Sequence, residues 1–351
     1  METGVDLQSL EGWMDGQGLG SGPIADVVSL GGGSQNILLR FTRAGRIFVL
    51  RRPPLHTRAN SNETMRREAR LLGALAGTNV PHPGLIAACG DESVIGAAFY
   101  LMEPIEGFNP ISGLSELHRE PTVQHRMGLA LVEALAALGA LDYEMLGLAD
   151  FGKPDGYLER QVARWRSQLE SYGELAGWPG AEALGDVDGV GAWLEAHRPQ
   201  HFMPGIMHGD YHLANVMYRN DGPEIAAVVD WELATIGDPL IDLGWLLATW
   251  PEPGKESMVS VAPWTGFPTA EELVAHYAER SRRDLSAVGW YAIFGCYKLG
   301  ILLEGTYARA CAGKAPKDTG DKLHARALWL FERAERWIRT GQMQLGEKAA
   351  A

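Results

Sequence analysis

The sequence predicts a two-lobed α+β chain: residues 1–104 an antiparallel sheet with one helix, residues 105–351 mostly helical. Three observations lead there. Up to about Met102 the chain alternates short β-branched apolar runs with glycine-containing turns. After about Glu106 the apolar residues recur mostly at helical spacing. A small strand-rich island interrupts the helices, and it holds an unusual density of polar groups, "GIMHGDYHLANVMY", Gly205 to Tyr218, followed by "VVDWE".

The N-terminal elements follow in order. "ADVVSL" is apolar and β-branched, "GGGSQ" is a flexible loop, and "NILLRF" is a second strand. "TRAGR" is a turn and "IFVLRR" a third strand. The glycines therefore join strand to strand, whereas a dinucleotide-binding fingerprint joins strand to helix. Glycines at a hairpin tip let backbone N–H groups approach phosphates closely. "NETMRREARLLGALAG" places Met65, Ala69, Leu72 and Leu75 at helical spacing, with Asn62 as the expected cap and Gly77 as the stop. Glu68 falls beside that apolar stripe. "SVIGAAFYLMEPIEG" supplies one or two more strands, ending near Pro104.

Composition narrows the function. The chain has 351 residues, 46% hydrophobic and 21% charged, which is ordinary for a globular protein. A net charge of −13 argues against nucleic acid or an anionic membrane as partner. Three scattered cysteines fit a reducing compartment, and no leader or membrane span is apparent, so the expected location is cytoplasmic. Nothing in the sequence sets the oligomeric state. The eleven tryptophans read as core and helix packing.

The polar island reads as a phosphoryl-transfer site. Asp210 and Asn215 stand 215 − 210 = 5 positions apart, the Asp-to-Asn spacing of a kinase catalytic loop. There the Asp takes the hydroxyl proton and the Asn holds a metal. Asp230 follows the β-branched run "AAVV", where a kinase places its second metal-binding Asp. Mg²⁺ takes hard oxygen ligands and keeps several waters, so one carboxylate and one amide oxygen suffice. His208 and His212 are four apart, but the glycine between them disfavours a zinc-binding helix. His208 reads as a structural prop, and His212 has no assigned role. Asp238 before Pro239 reads as a helix cap, with Asp242 inside that helix.

Together, "HGDYHLAN", "VVDWE" and "GDPLIDL" resemble the aminoglycoside phosphotransferase and choline kinase family, with its protein-kinase-like fold. The resemblance runs from about Ile24 to Arg309. "LGGGSQN", "FVLRRPP", "REARLL" and "ILLEGTYAR" resemble one branch, the kinase-like domains associated with acyl-CoA dehydrogenases and their stand-alone bacterial relatives. The resemblance implies that Asp210 is the catalytic base and that Asn215 and Asp230 hold Mg²⁺. It implies that Gly31, Gly32, Gly33 and Ser34 cover the phosphates of ATP, with GTP an open alternative. Glu103 and Ile105 would meet adenine through their backbones, and Asp242 would brace the catalytic loop. Glu68 would pair with the cation of the third strand. The family's lysine there is Arg51 in this chain, which keeps the charge but offers a planar fork. Arg52 is the alternative, although strand alternation points it to the other face.

A protein kinase needs a long activation segment after the metal-binding Asp, and here "GDPLIDLGWLL" follows almost at once. The acceptor is therefore expected to be a small molecule with a hydroxyl. The branch resemblance favours a hydroxyacyl-CoA or similar metabolite, for which Arg58, Arg66, Lys298 and Arg309 are available cations. An aminoglycoside is the competing acceptor, with Glu271, Glu272, Glu279 and Asp284 as available acids. A catalytically silent nucleotide-binding protein is the alternative outside enzyme chemistry.

Overall fold

The computed structural model describes residues 4–31, 36–54, 60–252 and 261–341. The five-stranded sheet has the order β1-β2-β3-β5-β4, antiparallel throughout. Its strands are β1 (Ala25–Ser29), β2 (Ile37–Arg43), β3 (Arg46–Arg52), β4 (Leu85–Cys89) and β5 (Phe99–Met102). The β2–β3 turn uses left-handed Ala44 and Gly45, φ 48 and 75, the backbone that a tight hairpin demands. The structure adds a helix that the sequence reading missed, α1 (Leu7–Gly16), capped by Asp6, whose side chain accepts from the Ser9 N–H. Leu10 and Met14 of α1 pack on Phe41, Phe48 and Leu50, on the face of the sheet away from α2 (Ser61–Leu75).

Helix α2 ends as expected, with Gly77 at φ 78, but Asn62 is not its cap. The helix starts at Ser61 with Asn60 in the cap position, two residues earlier, and the Asn62 side chain accepts from the Ala98 N–H, tying α2 to the segment leading into β5. The inner face of α2 buries Met65, Ala69, Leu72 and Leu75 in the main core, which runs on into the helical half. That shared core gives the two halves a common packed floor.

The helical half comprises α3 (Pro121–Ala140), α4 (Gln161–Glu170), α5 (Val187–Ala196), α6 (Leu240–Thr249), α7 (Ala270–Ala278), α8 (Val288–Cys311) and α9 (Lys317–Thr340). The strand-rich island forms two small ribbons. β6 (Gly205–Met207) pairs with β9 (Thr235–Gly237), and β7 (Val216–Tyr218) with β8 (Ile225–Val228). These ribbons present the polar loop between them while α6 and α8 pack beneath. The Asp238 carboxylate accepts from Leu240 N–H and from the Tyr291 hydroxyl, and its carbonyl accepts from Ile241 N–H. The cap position of α6 is Pro239, one residue later than the sequence reading placed it, and Asp238 supports the helix start from just before the cap. No helix among the described residues is long and apolar enough to cross a membrane.

Candidate active site

The polar loop leaves β6 at His208 and must turn sharply. Gly209 makes the turn at φ 88, and a Cβ there would lie 2.5 Å from the Leu233 carbonyl oxygen, so only glycine fits. Asp242, fully buried on α6, accepts the N–H groups of both His208 and Gly209. His208 is also fully buried, and burial holds its imidazole below the usual histidine range. It is thus neutral, donating from Nε2 to the Val229 carbonyl and accepting the Asp210 N–H at Nδ1. His208 and Asp242 thus both lie beneath the loop and bond to its backbone.

Asp210 is held at both carboxylate oxygens. The Asn215 Nδ2 donates to Oδ2 at 3.0 Å, and the His212 Nε2 lies 3.1 Å from Oδ1. His212 can donate there because its Nδ1 accepts the Ala214 N–H, which fixes the tautomer. Burial alone would raise the Asp210 pKa, but the His212 hydrogen bond and nearby positive charge outweigh it and bring it down to about 2. The group is an anion at any physiological pH. Asn215 spends its Nδ2 on the Asp210 carboxylate and carbonyl, which leaves its amide oxygen as an acceptor without a partner among the described residues.

Asp230 sits just after β8 at φ 66, left-handed and so strained for a non-glycine residue. Its carboxylate is partly open and lies 2.8 Å from the Arg51 guanidinium. Arg51, on β3, also pairs with Glu68 of α2 at 2.9 Å. Glu68 is buried and takes a further hydrogen bond from the Tyr100 hydroxyl at 2.8 Å. Burial pushes the Glu68 pKa up, and Arg51 opposes it. The Arg51 guanidinium stays charged: burial works against it, but the surrounding acids, Glu68 foremost, outweigh burial. Arg52 points to the opposite face and donates to the carbonyls of Pro53 and Ile95, away from the site.

The remaining expected residues are placed as follows. The Glu103 N–H is engaged with the Gly84 carbonyl, whereas Ile105 N–H has no partner among the described residues. Gly31 is described and exposed, while Gly32, Gly33 and Ser34 lie outside the described residues. At the near end of that loop, Asn36 Nδ2 reaches Glu232 at 3.5 Å. Lys298 is not the surface cation the sequence reading offered to a CoA group. It is buried on α8 and donates to the Gly209 carbonyl at 2.9 Å. Arg66 is also engaged, pairing with Glu92. Glu272 is spent on the capping box of α7, and Glu279 pairs with Arg280. His212, Tyr100 and Lys298 are the site groups that sequence reasoning missed or misplaced. Only Lys298 left a signal, as a lone charge in the apolar run "YAIFGCYKLGILL".

Comparison with known proteins identifies the family and the fold. The model of the phosphotransferase enzyme family APH matches residues 26–273. Mouse "Acyl-CoA dehydrogenase family member 10" is 29% identical over 312 residues, covering 86% of this chain and 28% of that protein. Human "Acyl-CoA dehydrogenase family member 11" is 28% identical, covering 88% of this chain and 40% of that protein. The chain thus spans well under half the length of these curated relatives. A solved structure from Ralstonia eutropha JMP134, provisionally named an aminoglycoside phosphotransferase, is 31% identical with a TM-score of 0.77, covering 95% of this chain and 99% of that one. The GDP complex of aminoglycoside 2'-phosphotransferase-IIIa, 16% identical with a TM-score of 0.64 over 94% of this chain, shares the fold. The chain belongs to the APH phosphotransferase enzyme family and has its two-lobed protein-kinase-like fold.

Proposed function

We propose that this protein transfers the γ-phosphoryl group of ATP to the hydroxyl of a small molecule. The observation that carries the reading is the doubly held Asp210 carboxylate, together with Asn215, Asp230 and the Arg51–Glu68 pair around one cleft. Arg51 would bind phosphate oxygens. Asp210 would orient the acceptor hydroxyl and receive its proton. With a pKa of about 2, it is a weak base toward an unreacted alcohol. That suits a loose transition state, in which the hydroxyl becomes acidic only as the new O–P bond forms. Catalysis is then mainly positioning and charge neutralisation.

The residues fit a magnesium ion. The Asn215 amide oxygen has no partner among the described residues, and the Asp230 carboxylate is partly open, a hard-oxygen pair of the kind Mg²⁺ takes. When bound, the ion would neutralise negative charge on the phosphates. Arg51 would then give up its contact with Asp230 and turn to the phosphates. The Glu103 carbonyl and Ile105 N–H would meet adenine, since the Glu103 N–H is already engaged.

For the acceptor we favour a hydroxyacyl-CoA or similar hydroxylated metabolite. Support comes from the identity shared with relatives named for acyl-CoA dehydrogenases. The helical-half acids that could have greeted a polycation are partly spent on a helix cap and ion pairs. A cytoplasmic setting belongs to the same reading, with Cys89, Cys296 and Cys311 all unbridged. The test offers purified protein ATP, Mg²⁺, a panel of hydroxyacyl-CoAs and a panel of aminoglycosides, and follows phosphorylated product by mass. Phosphorylation of a hydroxyacyl-CoA is expected. Product from an aminoglycoside alone would overturn the acceptor, and no product together with no nucleotide hydrolysis would overturn the transferase.

A further inference from the structure

Gly209 is gripped at both of its backbone polar groups by buried charges of opposite sign. Its N–H donates to the Asp242 carboxylate at 2.8 Å, and its carbonyl accepts from the Lys298 ammonium at 2.9 Å. The carbonyl belongs to the Gly209–Asp210 peptide, whose N–H end is held by His208 Nδ1. The peptide plane that launches the Asp210 side chain is therefore fixed at both edges. Glycine at positive φ is otherwise the most easily rotated point of such a loop.

The clamp is built from two helices. Asp242 comes from α6 and Lys298 from α8, and these helices cross closely enough that a Cβ on Gly244 would lie 2.2 Å from the Tyr291 carbonyl oxygen. The ammonium sits 4.4 Å from the centre of the Trp245 ring and 5.6 Å from that of Trp165, so aromatic faces replace its lost water. A hydroxyl or amide could donate the same hydrogen bond at lower desolvation cost. The choice of a charge is explained by its neighbours, since the ammonium faces both Asp242 and Asp210.

We propose that Lys298 is a positioning residue for phosphoryl transfer, the cationic half of a clamp with Asp242 that fixes the Gly209–Asp210 peptide and so aims the Asp210 carboxylate at the acceptor. The role in turnover rests on the phosphotransferase reading above; the clamp itself does not. It has a pH signature. Burial pushes Asp242 up to about 6, against the two backbone N–H groups and Lys298. Asp242 also faces Asp210 and the phenols of Tyr157, Tyr211 and Tyr277. Burial brings Lys298 down to about 8, against Asp242 and Asp210, with Arg164 of α4 adding to the fall. The clamp carries both charges between these values. Activity falls on the acid side as Asp242 gains its proton and on the alkaline side as Lys298 loses its own. Asp210, at about 2, sets neither limb.

The experiment compares wild type with Lys298→Met, Lys298→Arg and Lys298→Gln. One arm reads amide hydrogen exchange of residues 205–218 without nucleotide. The other follows phosphate release from ATP with water as acceptor, from pH 5 to 10, separating kcat from KM. Lys298→Met is expected to speed exchange in that segment, lower kcat by about 10- to 100-fold and leave KM for ATP unchanged, as small misplacements do. Lys298→Arg, always charged, should recover most of kcat and lose the alkaline limb, whereas neutral Lys298→Gln should recover little. Unchanged exchange with kcat within about two-fold of wild type in the Met variant would overturn the proposal. If the Met variant does not fold, an alkaline limb that persists in the Arg variant overturns it. Absence of phosphate release by wild type, together with no phosphorylated acceptor, would count against the phosphotransferase reading, and the exchange arm would still decide the clamp.

Discussion

Asp210 has no freedom to choose its orientation: one oxygen is given to His212 and the other to Asn215. Asp210→Asn keeps the shape but turns an amide toward two donors and cannot take a proton. Turnover should fall by at least ~10²-fold, and the fold should survive. Turnover near wild type in the folded variant would remove Asp210 from its role. The two arginines of β3 separate as cleanly. Arg51→Ala strands the buried Glu68 carboxylate, so it should both raise KM for ATP and destabilise the fold by about 3–5 kcal/mol. Arg52→Ala should leave KM alone, yet it is not neutral, because Arg52 is buried and serves the Ile95 carbonyl. Denaturant titration beside steady-state kinetics separates the two, and an Arg52 effect on KM would reverse the assignment. The contact of Asp210 with Asn215 was legible because the two stand five apart on one short loop, whereas Asp230 comes after the β7–β8 hairpin and was marked only by the apolar run before it. The contact of His212 was not legible, because it depends on an extended backbone, φ −156 and ψ 172, that curls the ring back onto Asp210. Lys298 meets the loop 298 − 209 = 89 positions away, and no local pattern carries that distance.

At the scale of elements, the site depends on how closely α6 and α8 approach. Gly244 and Gly295 form the crossing: a Cβ on Gly295 would lie 2.6 Å from the Gly244 carbonyl oxygen. Gly244→Ala should therefore push the helices apart, costing about 1–3 kcal/mol or more by overpacking. It should also lower kcat, because Asp242 and Lys298 ride on the two helices. Thermal melts and kcat measured together check this. A variant with normal kcat and a lowered melting point would mean that the loop tolerates helix displacement. The elements themselves were mostly legible. β1, β2, β3 and β5 follow β-branched or apolar runs bounded by turns, and α2 follows its apolar stripe. α1 escaped because ten residues with one buried pair give little periodicity. Asn62 misled because an asparagine near a helix start can bond outward as easily as inward, here to Ala98 N–H.

Across the whole molecule, the two halves share one apolar core, and a few cations of β3 and α2 add polar contacts across the junction. Arg51 reaches Asp230, Arg67 donates to the carbonyls of Phe151 and Ala234, and Arg70 pairs with Asp150. Of these, only the Arg51–Asp230 contact lies between two groups of the proposed nucleotide site. It links β3 to the loop after β8, and in the proposed reaction both partners would change hands, Arg51 to phosphate and Asp230 to Mg²⁺. Nucleotide binding should then be coupled to metal and visible in global stability, which rises by about 2.7 kcal/mol when ligand stands at 100 times its Kd. In wild type, ATP with Mg²⁺ should raise the melting temperature clearly more than ATP with a chelator. In Asp230→Ala the metal-dependent increment should vanish, because the ion loses the carboxylate that ties it to the helical half. The increment from nucleotide alone should survive or grow, since Arg51 is no longer engaged by Asp230 and remains charged beside Glu68. An unchanged metal-dependent increment in Asp230→Ala would show that the ion is held elsewhere. Loss of both increments would instead mean that Asp230 acts mainly by holding Arg51 in place for the phosphates.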